Sequence, residues 1–346
     1  VSLPDFNPNK PVTAAGVAGF NRATKGVYEM GSTFKLFTVA MALDTGRVRL
    51  SDRYDATKPI KISRFTISDY HAKNKWLSVP EIIVYSSNIG AAKMAVDIGT
   101  STQKHYLKQF GLLSPTEIEL IEIGAPLTPD SWREINTMTI SYGHGIAVSP
   151  LQLASGIGAL VNGGILYDAT LLKSPKNQKP TGVRVIKDKT SRMMRDLMRL
   201  VVREGTGKKA EVPGYFVGGK TGTAEKIIDG RYSDTRHIAS FVGFVPSTKP
   251  VLTILVVIDD VARFGGTVAA PAFKRIAEAS LRHLAIPPTV DAPPPILVSP
   301  VFPEGPRVGP HSAGLELLSN PGVMPDLQGR SARTALAIAT DLGLSS

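Results

Sequence analysis

The sequence EMGSTFKLFTVAMAL, residues 29–43, predicts a helix that the rest of the fold must enclose. After Phe34 almost every residue is apolar, which is typical of a helix buried on all sides. Gly31 and Ser32 lie where such a helix would begin, and serine is a favoured N-cap residue. Lys35 falls within the first turn, although lysine is rarely buried without a specific reason. This stretch therefore places an unexplained ammonium group three residues from a serine hydroxyl.

Two interpretations of Ser32 and Lys35 are open. Residues three apart lie on one helix face, so the amine can reach the hydroxyl. Burial would lower the pKa of Lys35 and let it activate Ser32 as a nucleophile, and the free N–H of Ser32 could stabilise an oxyanion. Alternatively, Ser32 only caps the helix and Lys35 extends to water. The Ser-x-x-Lys tetrad at residues 32–35 does not by itself decide between these interpretations. A second Ser-x-x-Lys tetrad, Ser101 to Lys104, lies in an ordinary polar helix start.

Composition excludes several classes of function. The chain has 346 residues, of which 42% are hydrophobic, enough for one large domain with an appendage or for two modest domains. It has no cysteine, which excludes disulfides, thiol catalysis and cysteine-ligated metals. The six histidines lack the spacing of a metal site, so we expect no metal and no other cofactor.

The net charge of +11 suits an anionic partner or surface. The basic residues are scattered and do not alternate with aromatic residues, so we do not expect nucleic acid as a partner. No run of about 18 apolar residues occurs, so we expect no membrane span within this sequence. The sequence starts at VSLPDFNPN without methionine, and we expect a missing N-terminal region with any anchor or export signal.

Periodicity predicts a mostly helical first half and a strand-rich second part. The predicted helices cover residues 77–99, 101–113, 149–164, 190–205 and 270–284. Hairpins and loop are expected around residues 52–70. Three strands are predicted at residues 215–226, 237–246 and 251–260. Because short turns join the last two, an antiparallel meander is the simplest arrangement.

Composition changes at Ile286, where the proline-rich sequence IPPTVDAPPPILVSPVFPEGPRVGP begins. Such a sequence without periodicity is typical of an extended linker. The residues that follow predict a short strand, a turn and one helix, which are too few for a core of their own. The sequence therefore predicts a domain at residues 1–285, a linker at 286–322 and a C-terminal segment at 323–346.

Two further motifs could carry chemistry. YSSNIG contains Ser86, Ser87 and Asn88 between two predicted helices, where a turn can direct a hydroxyl and an amide the same way. Alternatively, these residues only cap a helix. GGKTGTAEK contains Lys220, followed by Thr-Gly-Thr, within a predicted strand. Glycine weakens a strand unless a ligand or another backbone must come close, although a bulged strand with a surface lysine is the alternative.

In this order, Ser-x-x-Lys, Ser-x-Asn and Lys-Thr-Gly form the motif set of penicillin-binding proteins and class A β-lactamases. The chain resembles the class B penicillin-binding proteins, the monofunctional transpeptidases, over residues 1–285. Thr221 resembles the division-specific, penicillin-binding protein 3-like type, because elongation-type relatives tend to have serine there. The segment from Val323 is similar to the first half of a PASTA module. The stretches that carry the wider resemblance are SLPDFNPN, FNRATKGVYEMGSTFK, SVPEIIVYSSNIGAAKMA, ISYGHGIAVSPLQLA, VVREGTGKKA and VGGKTGTAEK.

The resemblance implies an α/β (α+β) fold like that of the serine β-lactamases, in which an antiparallel sheet packs against helices beside a mostly helical subdomain. It also implies a peptidoglycan D,D-transpeptidase that cross-links D-Ala-D-Ala stem peptides through a serine acyl-enzyme during septal wall synthesis. β-Lactam antibiotics would acylate it. Relatives carry one N-terminal anchor in the inner membrane, which implies a periplasmic domain here and division-complex membrane proteins as partners of the missing region.

Residue roles follow from the same resemblance. Ser32 would attack the D-Ala carbonyl, and Lys35 would take its proton. Ser86 would pass a proton to the leaving nitrogen, while Asn88 would bind the donor peptide and orient Lys35. Lys220, with Thr221, Gly222 and Thr223, would hold the terminal carboxylate. The backbone N–H groups of Ser32 and Thr223 would form the oxyanion hole.

Several alternatives remain. A class A β-lactamase needs a glutamate in an ExxLN pattern, which is absent around Glu117, Glu119 and Glu122, so a β-lactamase or D,D-carboxypeptidase is the second choice among enzymes. A β-lactam sensor or a non-catalytic division scaffold is the alternative outside enzymes.

The sequence GTGKKA from Gly205 resembles a phosphate-binding loop but follows a helix, so a helix C-cap is expected. His144 lies between glycines and either lines a cleft or belongs to a structural turn.

Overall fold

The computed structural model describes residues 1–7, 9–10, 16–62, 65–173 and 180–290, and the structural statements below refer to this part of the chain. Its helices are α1 Lys35–Asp44, α2 Val79–Tyr85, α3 Asn88–Ile98, α4 Thr100–Gln109, α5 Glu134–Ile140, α6 Pro150–Val161, α7 Asp188–Glu204 and α8 Gly265–His283. Short 3-10 helices cover Gly16–Gly19, Gly31–Phe34 and Lys208–Ala210. The strands are β1 Arg53–Asp55, β2 Ile60–Ile62, β3 Phe65–Ile67, β4 Trp76–Ser78, β5 Ile165–Tyr167, β6 Gly182–Arg184, β7 Gly218–Ile228, β8 Arg231–Val245 and β9 Leu252–Val261.

The main sheet is an antiparallel meander in the order β7-β8-β9, as the sequence predicts. Lys220 pairs with Val242 across β7 and β8, and Val242 pairs in turn with Leu255 of β9. In this order β7 is an edge strand, so no other strand pairs with the backbone groups on its outer side. Three two-stranded pairs, β1-β4, β2-β3 and β5-β6, complete the strands of the described part.

Strand β8 is longer than the sequence analysis predicts, because it begins at Arg231 rather than at His237. Asp229 and Gly230 form the two-residue connection from β7, with φ angles of +50° and +75°. An Asp-Gly pair with both residues at positive φ is the preferred connection of a tight hairpin. The additional residues of β8 are mostly exposed, so they lack the apolar pattern by which the strand was predicted.

Helices cover both faces of this sheet. Successive residues of a strand point to opposite faces, and β8 separates its side chains accordingly. Val242 and Phe244 join the larger core together with α1, α6 and α7. Phe241 instead joins a second cluster and packs edge-on against Phe273 of α8, with ring centroids 4.9 Å apart. Each fully buried side chain of this size contributes about 1.5–3 kcal/mol.

Helix α1 is enclosed on all sides, as its sequence predicts, since all ten of its residues are buried. The predicted helices at residues 77–99 are two helices, α2 and α3, and Ser87 caps the second by accepting a hydrogen bond from the Gly90 N–H. Gly205 ends α7, so the C-cap interpretation of the GTGKKA stretch is confirmed. The expected hairpin within residues 52–70 is β2-β3, whereas β1 pairs with the more distant β4.

Two boundaries differ from those expected. Helix α8 begins at Gly265 rather than at Ala270, because Pro271 lies inside the helix instead of at its start. At its far end, the chain from Ile286 to Val290 remains attached to the domain through hydrogen bonds to Tyr215 and Gly214. The rest of the predicted linker and the segment at 323–346 lie outside the described residues. None of the described helices has the length and apolar character that crossing a membrane requires.

Candidate active site

The turn that carries Ser32 lies directly against strand β7. Gly31 has a φ of +55°, and a Cβ atom on it would lie 2.5 Å from the carbonyl oxygen of Thr223. A Cβ atom on Gly222 would lie 2.6 Å from the carbonyl oxygen of Met30. Because glycine occupies both sides of this contact, the backbones can approach more closely than side chains would permit.

Lys35 is fully buried beside Ser32, so the alternative in which its amine extends to water is wrong. The capping interpretation of Ser32 is wrong as well, because neither its 3-10 helix nor α1 has a side-chain cap. The Ser32 hydroxyl oxygen instead accepts a 2.7 Å hydrogen bond from Lys35 Nζ. The amine also donates to the Ser86 carbonyl oxygen at 2.9 Å and to Asn88 Oδ1 at 2.7 Å.

These surroundings change the proton affinity of the amine. Burial lowers the pKa of Lys35 well below its usual range, and the nearby charge of Lys220 lowers it further. Asp69 acts in the opposite direction but is the smallest of the three causes. A neutral amine within hydrogen-bond distance of a serine hydroxyl can act as its base.

Ser86 connects the two lysines of the site. It ends α2 in a left-handed conformation, with φ of +60°, which turns the chain sharply between α2 and α3. Its hydroxyl oxygen accepts hydrogen bonds from Lys220 Nζ at 2.9 Å and from Lys35 Nζ at 3.3 Å. Asn88 begins α3 and donates from Nδ2 to the Ser68 carbonyl oxygen at 2.9 Å, which fixes its amide.

Lys220 is fully buried, so the alternative in which it is a surface lysine is wrong. Burial lowers the pKa of Lys220 to about 7. The irregularity in the pairing of β7 and β8 occurs between Glu225 and Ile227, beyond the Lys-Thr-Gly motif, so no bulge accounts for that motif.

The threonines of β7 are held by two residues that the sequence analysis did not single out. The Thr221 and Thr206 hydroxyl oxygens are 2.6 Å apart. Thr223 Oγ1 accepts a 3.1 Å hydrogen bond from the N–H of Gly265, the first residue of α8. The Gly-Gly pair that begins α8 was the available signal, because glycine often marks a close backbone approach.

Asp69 is another positioning residue that the sequence analysis missed. Its carboxylate accepts hydrogen bonds from the Ser87 hydroxyl at 2.7 Å and from the Ile89 N–H at 2.9 Å. It thereby fixes the turn that presents Ser86 and Asn88. No local pattern identifies it, because it lies about 20 residues earlier in the chain, in a segment of short strands.

Two of the acidic residues considered for a β-lactamase, Glu117 and Glu119, have partners or surroundings other than Ser32 and Lys35. Glu119 accepts hydrogen bonds from the Thr170 hydroxyl and the Leu171 N–H. Glu117 lines a cavity of about 210 Å³ that shares no residue with the surroundings of Ser32.

The structure thus brings Ser32, Lys35, Ser86, Asn88 and Lys220 into one hydrogen-bonded cluster against the edge strand β7. A serine hydroxyl bonded to a buried amine of lowered pKa, beside an edge strand, is the arrangement that activation of a serine nucleophile requires.

The sequence model of the family 'penicillin binding protein transpeptidase domain' matches residues 1–278. The chain is 40% identical over 294 residues to the probable peptidoglycan D,D-transpeptidase FtsI of Caulobacter vibrioides, across 80% of this chain and 50% of that protein. It is 33% identical over 292 residues to the peptidoglycan D,D-transpeptidase FtsI of Escherichia coli, across 82% of this chain and 49% of that protein. This chain belongs to the penicillin-binding protein transpeptidase family.

Solved structures agree with this assignment. The transpeptidase domain of Burkholderia pseudomallei penicillin-binding protein 3 is similar, with a TM-score of 0.74 and 36% identity over 78% of this chain and 84% of that one. The fold that the sequence resemblance implies is therefore confirmed, as is the resemblance to penicillin-binding protein 3. The chain spans about half the length of the two curated relatives named above.

Proposed function

We propose that this chain contains the catalytic domain of a serine peptidoglycan D,D-transpeptidase, in which Ser32 is acylated by D-Ala-D-Ala stem peptides and by β-lactams. One observation carries the proposal most directly. The fully buried amine of Lys35, with its pKa lowered, lies 2.7 Å from the Ser32 hydroxyl oxygen. With the amine neutral, the Ser32 hydroxyl can donate this hydrogen bond and pass its proton to Lys35 as the oxygen attacks.

Acylation then proceeds along the hydrogen-bonded cluster. Ser32 Oγ attacks the carbonyl carbon of the penultimate D-Ala, and the oxyanion is stabilised by the N–H groups of Ser32 and Thr223, each worth about 3 kcal/mol. The hydroxyl of Ser86 is bonded to both lysines and can pass the proton from Lys35 to the leaving D-Ala nitrogen. Asn88 holds Lys35 in place and presents its amide to the donor peptide.

The donor's terminal carboxylate fits the beginning of β7. Lys220 supplies a cation when protonated, and Thr221 and Thr223 supply hydroxyl groups on the same strand. The Thr223 oxygen already accepts a hydrogen bond from the Gly265 N–H, so its own hydrogen is free to be donated. Gly222 between them keeps the strand in contact with the Ser32 turn.

We further propose a role in septal wall synthesis at division, because both curated relatives described above carry the name FtsI. An amine of a neighbouring stem peptide would resolve the acyl-enzyme and form the cross-link. We expect an N-terminal anchor in the inner membrane, a periplasmic catalytic domain, and contacts of the preceding region with membrane proteins of the division complex.

Intact mass after incubation with benzylpenicillin tests the proposal. We expect one covalent adduct on Ser32, and Ser32→Ala should form none. Ser101→Ala is the matched control, because Ser101 begins the second Ser-x-x-Lys tetrad but lies exposed on α4. Labelling that survives in Ser32→Ala, or a native protein that forms no adduct, would contradict the assignment.

Hydrolytic and non-catalytic alternatives are less consistent with the site. Glu119, one of the acids considered for activating a deacylating water, is bound to Thr170 and Leu171. A scaffold without activity would not need two buried lysines whose pKa values are both lowered. A long-lived benzylpenicillin adduct would separate a transpeptidase from a β-lactamase, which releases the product rapidly.

A further inference from the structure

A cluster of Glu29, Tyr142, His144 and Tyr232, here called the Glu29–His144 cluster, lies beside the turn that carries Ser32. The N–H of Gly31 donates a 3.3 Å hydrogen bond to the carbonyl oxygen of Gly143, so the residues before Ser32 and His144 are held together. The Tyr142 ring centroid is 5.9 Å from Lys35 Nζ. The imidazole of His144 lies between the two tyrosines, with ring centroids 6.4 Å from Tyr142 and 4.7 Å from Tyr232.

Glu29 is held rigidly in this cluster. Its Oε1 accepts hydrogen bonds from the Gly145 N–H at 2.7 Å and from the Tyr232 hydroxyl at 3.2 Å. Its buried Oε2 lies 3.3 Å from His144 Nδ1. The Glu29 side chain is only 12% exposed, whereas that of His144 is 41% exposed. The carboxylate therefore faces one imidazole nitrogen and leaves the solvent-accessible part of the ring free.

This pairing gives His144 the properties of a base. A carboxylate beside Nδ1 favours the tautomer with hydrogen on that nitrogen, so the lone pair of neutral imidazole is on Nε2. Glu29 raises the pKa of His144, burial opposes this, and the charge of Glu225 adds to the increase. Such a dyad can take up a proton at Nε2, and the negative charges of Glu29 and Glu225 also favour a cationic ligand.

Acylation makes no use of this base, because Lys35 already contacts Ser32. The second half of a transpeptidation does require one. A primary amine is mostly an ammonium ion near pH 7, and it must lose a proton before its nitrogen can attack.

We propose that the Glu29–His144 cluster is the site for the acceptor ammonium group, with His144 as the base that deprotonates it and Glu29 as the residue that positions His144. This rests on the proposed function. The acceptor passes one proton to His144 Nε2, and its nitrogen then forms a bond to the ester carbon of the acyl-enzyme. The C–O bond to Ser32 breaks, and the second proton of the nitrogen returns through Lys35 to Ser32 Oγ. The imidazolium releases its proton to solvent.

The test measures which fraction of one acyl-enzyme reacts with an amine and which fraction reacts with water. The native chain is supplied with an acyl-D-alanyl thioester as donor and D-alanine as acceptor amine, and the aminolysis and hydrolysis products are quantified by mass spectrometry. Because both products arise from the same intermediate, their ratio does not depend on the rate of acylation. We expect His144→Gln, which keeps a polar side chain but cannot take a proton, to lower the aminolysis-to-hydrolysis ratio at pH 7 by about 10-fold or more. His105→Gln, at an exposed histidine of α4, should leave it unchanged.

A pH profile provides the second readout. In the native chain the aminolysis-to-hydrolysis ratio should rise with pH as His144 becomes neutral. The groups around His144 are the charges of Glu29 and Glu225 and the rings of Tyr142 and Tyr232. Glu29→Gln removes the charge that raises the pKa of His144, so the midpoint of the rise should move to lower pH. An unchanged ratio in His144→Gln, or an unmoved midpoint in Glu29→Gln, would overturn the inference while the proposed function stands. A native chain that benzylpenicillin and the thioester both fail to acylate would overturn the proposed function itself.

Discussion

Lys35 and Lys220 are both fully buried, and both donate hydrogen bonds to the hydroxyl of Ser86. Two ammonium groups at one hydroxyl would repel each other strongly, since burial weakens screening by water. Burial lowers the pKa of both lysines, and the charge of Lys220 lowers that of Lys35 further, so at least one amine can be neutral near pH 7. We assign the base to Lys35 because it is the lysine that contacts Ser32.

Lys35→Arg tests this assignment. Arginine keeps a positive charge of similar reach but does not give up its proton, so acylation by benzylpenicillin should slow by about 10²-fold or more. The rate for the native chain should rise with pH as Lys35 becomes neutral. Stopped-flow measurement of acylation from pH 5 to 9 gives both the rate of Lys35→Arg and the pH dependence of the native rate. Lys104→Arg is the control, because Lys104 belongs to the second Ser-x-x-Lys tetrad and is exposed on α4, with its amine 5.5 Å from the centroid of the Trp132 ring. A near-native rate in Lys35→Arg would make Lys35 a structural residue.

Lys220 should also make stability depend on pH. In the folded chain the pKa of Lys220 is about 7, whereas in the unfolded chain it is near the ordinary lysine value. Between these two values the unfolded chain binds more protons, so the free energy of unfolding contributed by this group rises with pH, by at most about 1.4 kcal/mol per unit. Below about pH 7 both states are protonated and this dependence disappears.

Urea denaturation at pH 7 and pH 9 measures that slope. Lys220→Met should have a smaller increase in the free energy of unfolding over this range than the native chain. Lys249→Met, at an exposed lysine, should keep the native slope. Equal slopes in the native chain and Lys220→Met would show that Lys220 keeps its proton in the folded state.

At the scale of secondary-structure elements, the site depends on how closely the Ser32 turn approaches β7. Gly222 is buried, and a Cβ atom on it would lie 2.3 Å from the Ser240 hydroxyl oxygen and 2.6 Å from the Met30 carbonyl oxygen. Because both neighbours belong to packed elements, the strand and the turn would have to separate. A separation of about 1 Å at a catalytic site can cost about 10²-fold in rate.

Gly222→Ala should therefore acylate at least about 10-fold more slowly and lose about 1–3 kcal/mol in the free energy of unfolding. Benzylpenicillin kinetics and urea denaturation measure these two effects. Gly158→Ala is the matched control, because a Cβ atom on Gly158 of α6 would have no neighbour within 4 Å. That variant should be as stable as the native chain or more stable by up to about 1 kcal/mol. Native kinetics in Gly222→Ala would mean that the close approach is not required.

At the scale of the whole molecule, the domain extends a few residues past the last described helix, α8. The Tyr215 hydroxyl donates a 2.6 Å hydrogen bond to the Ile286 carbonyl oxygen. The N–H groups of Thr289 and Val290 donate to the Gly214 carbonyl oxygen at 2.9 and 3.2 Å. Ile286 also packs against the core cluster around α8. These contacts join the end of the domain to the residues that lead into β7.

Two truncations test the contribution of this segment. A chain that ends at Val290 should keep native acylation, because the residues of the site all precede that point. A chain that ends at Ala285 should lose about 1–3 kcal/mol in the free energy of unfolding, since it lacks two partly buried side chains, Ile286 and Val290, and four hydrogen bonds. Thermal unfolding and benzylpenicillin labelling compare the two. Equal stability of the two chains would show that residues 286–290 do not contribute, and loss of labelling in the longer one would show that later residues support the site.

The sequence by itself determined the features that depend on local pattern. The buried helix after Ser32 follows from an unbroken apolar run, and the meander follows from three β-rich segments with short connections. The three motifs, in their order, predicted Ser32 as the nucleophile and named the polar residues around it, which the structure brings together. Each of these signals lies within a few residues of chain, so no knowledge of tertiary contacts was needed to read it.

Only the tertiary structure decided which of the open alternatives applies. Ser32 and Lys35 could equally have been a cap and a surface amine, because burial is a property of the surroundings and not of the tetrad. Asp69 and Gly265 act on residues about 20 and 40 positions away, and Glu29 meets His144 across more than 100 residues. Such contacts leave no local pattern, since their geometry is set by the packing of whole elements against one another.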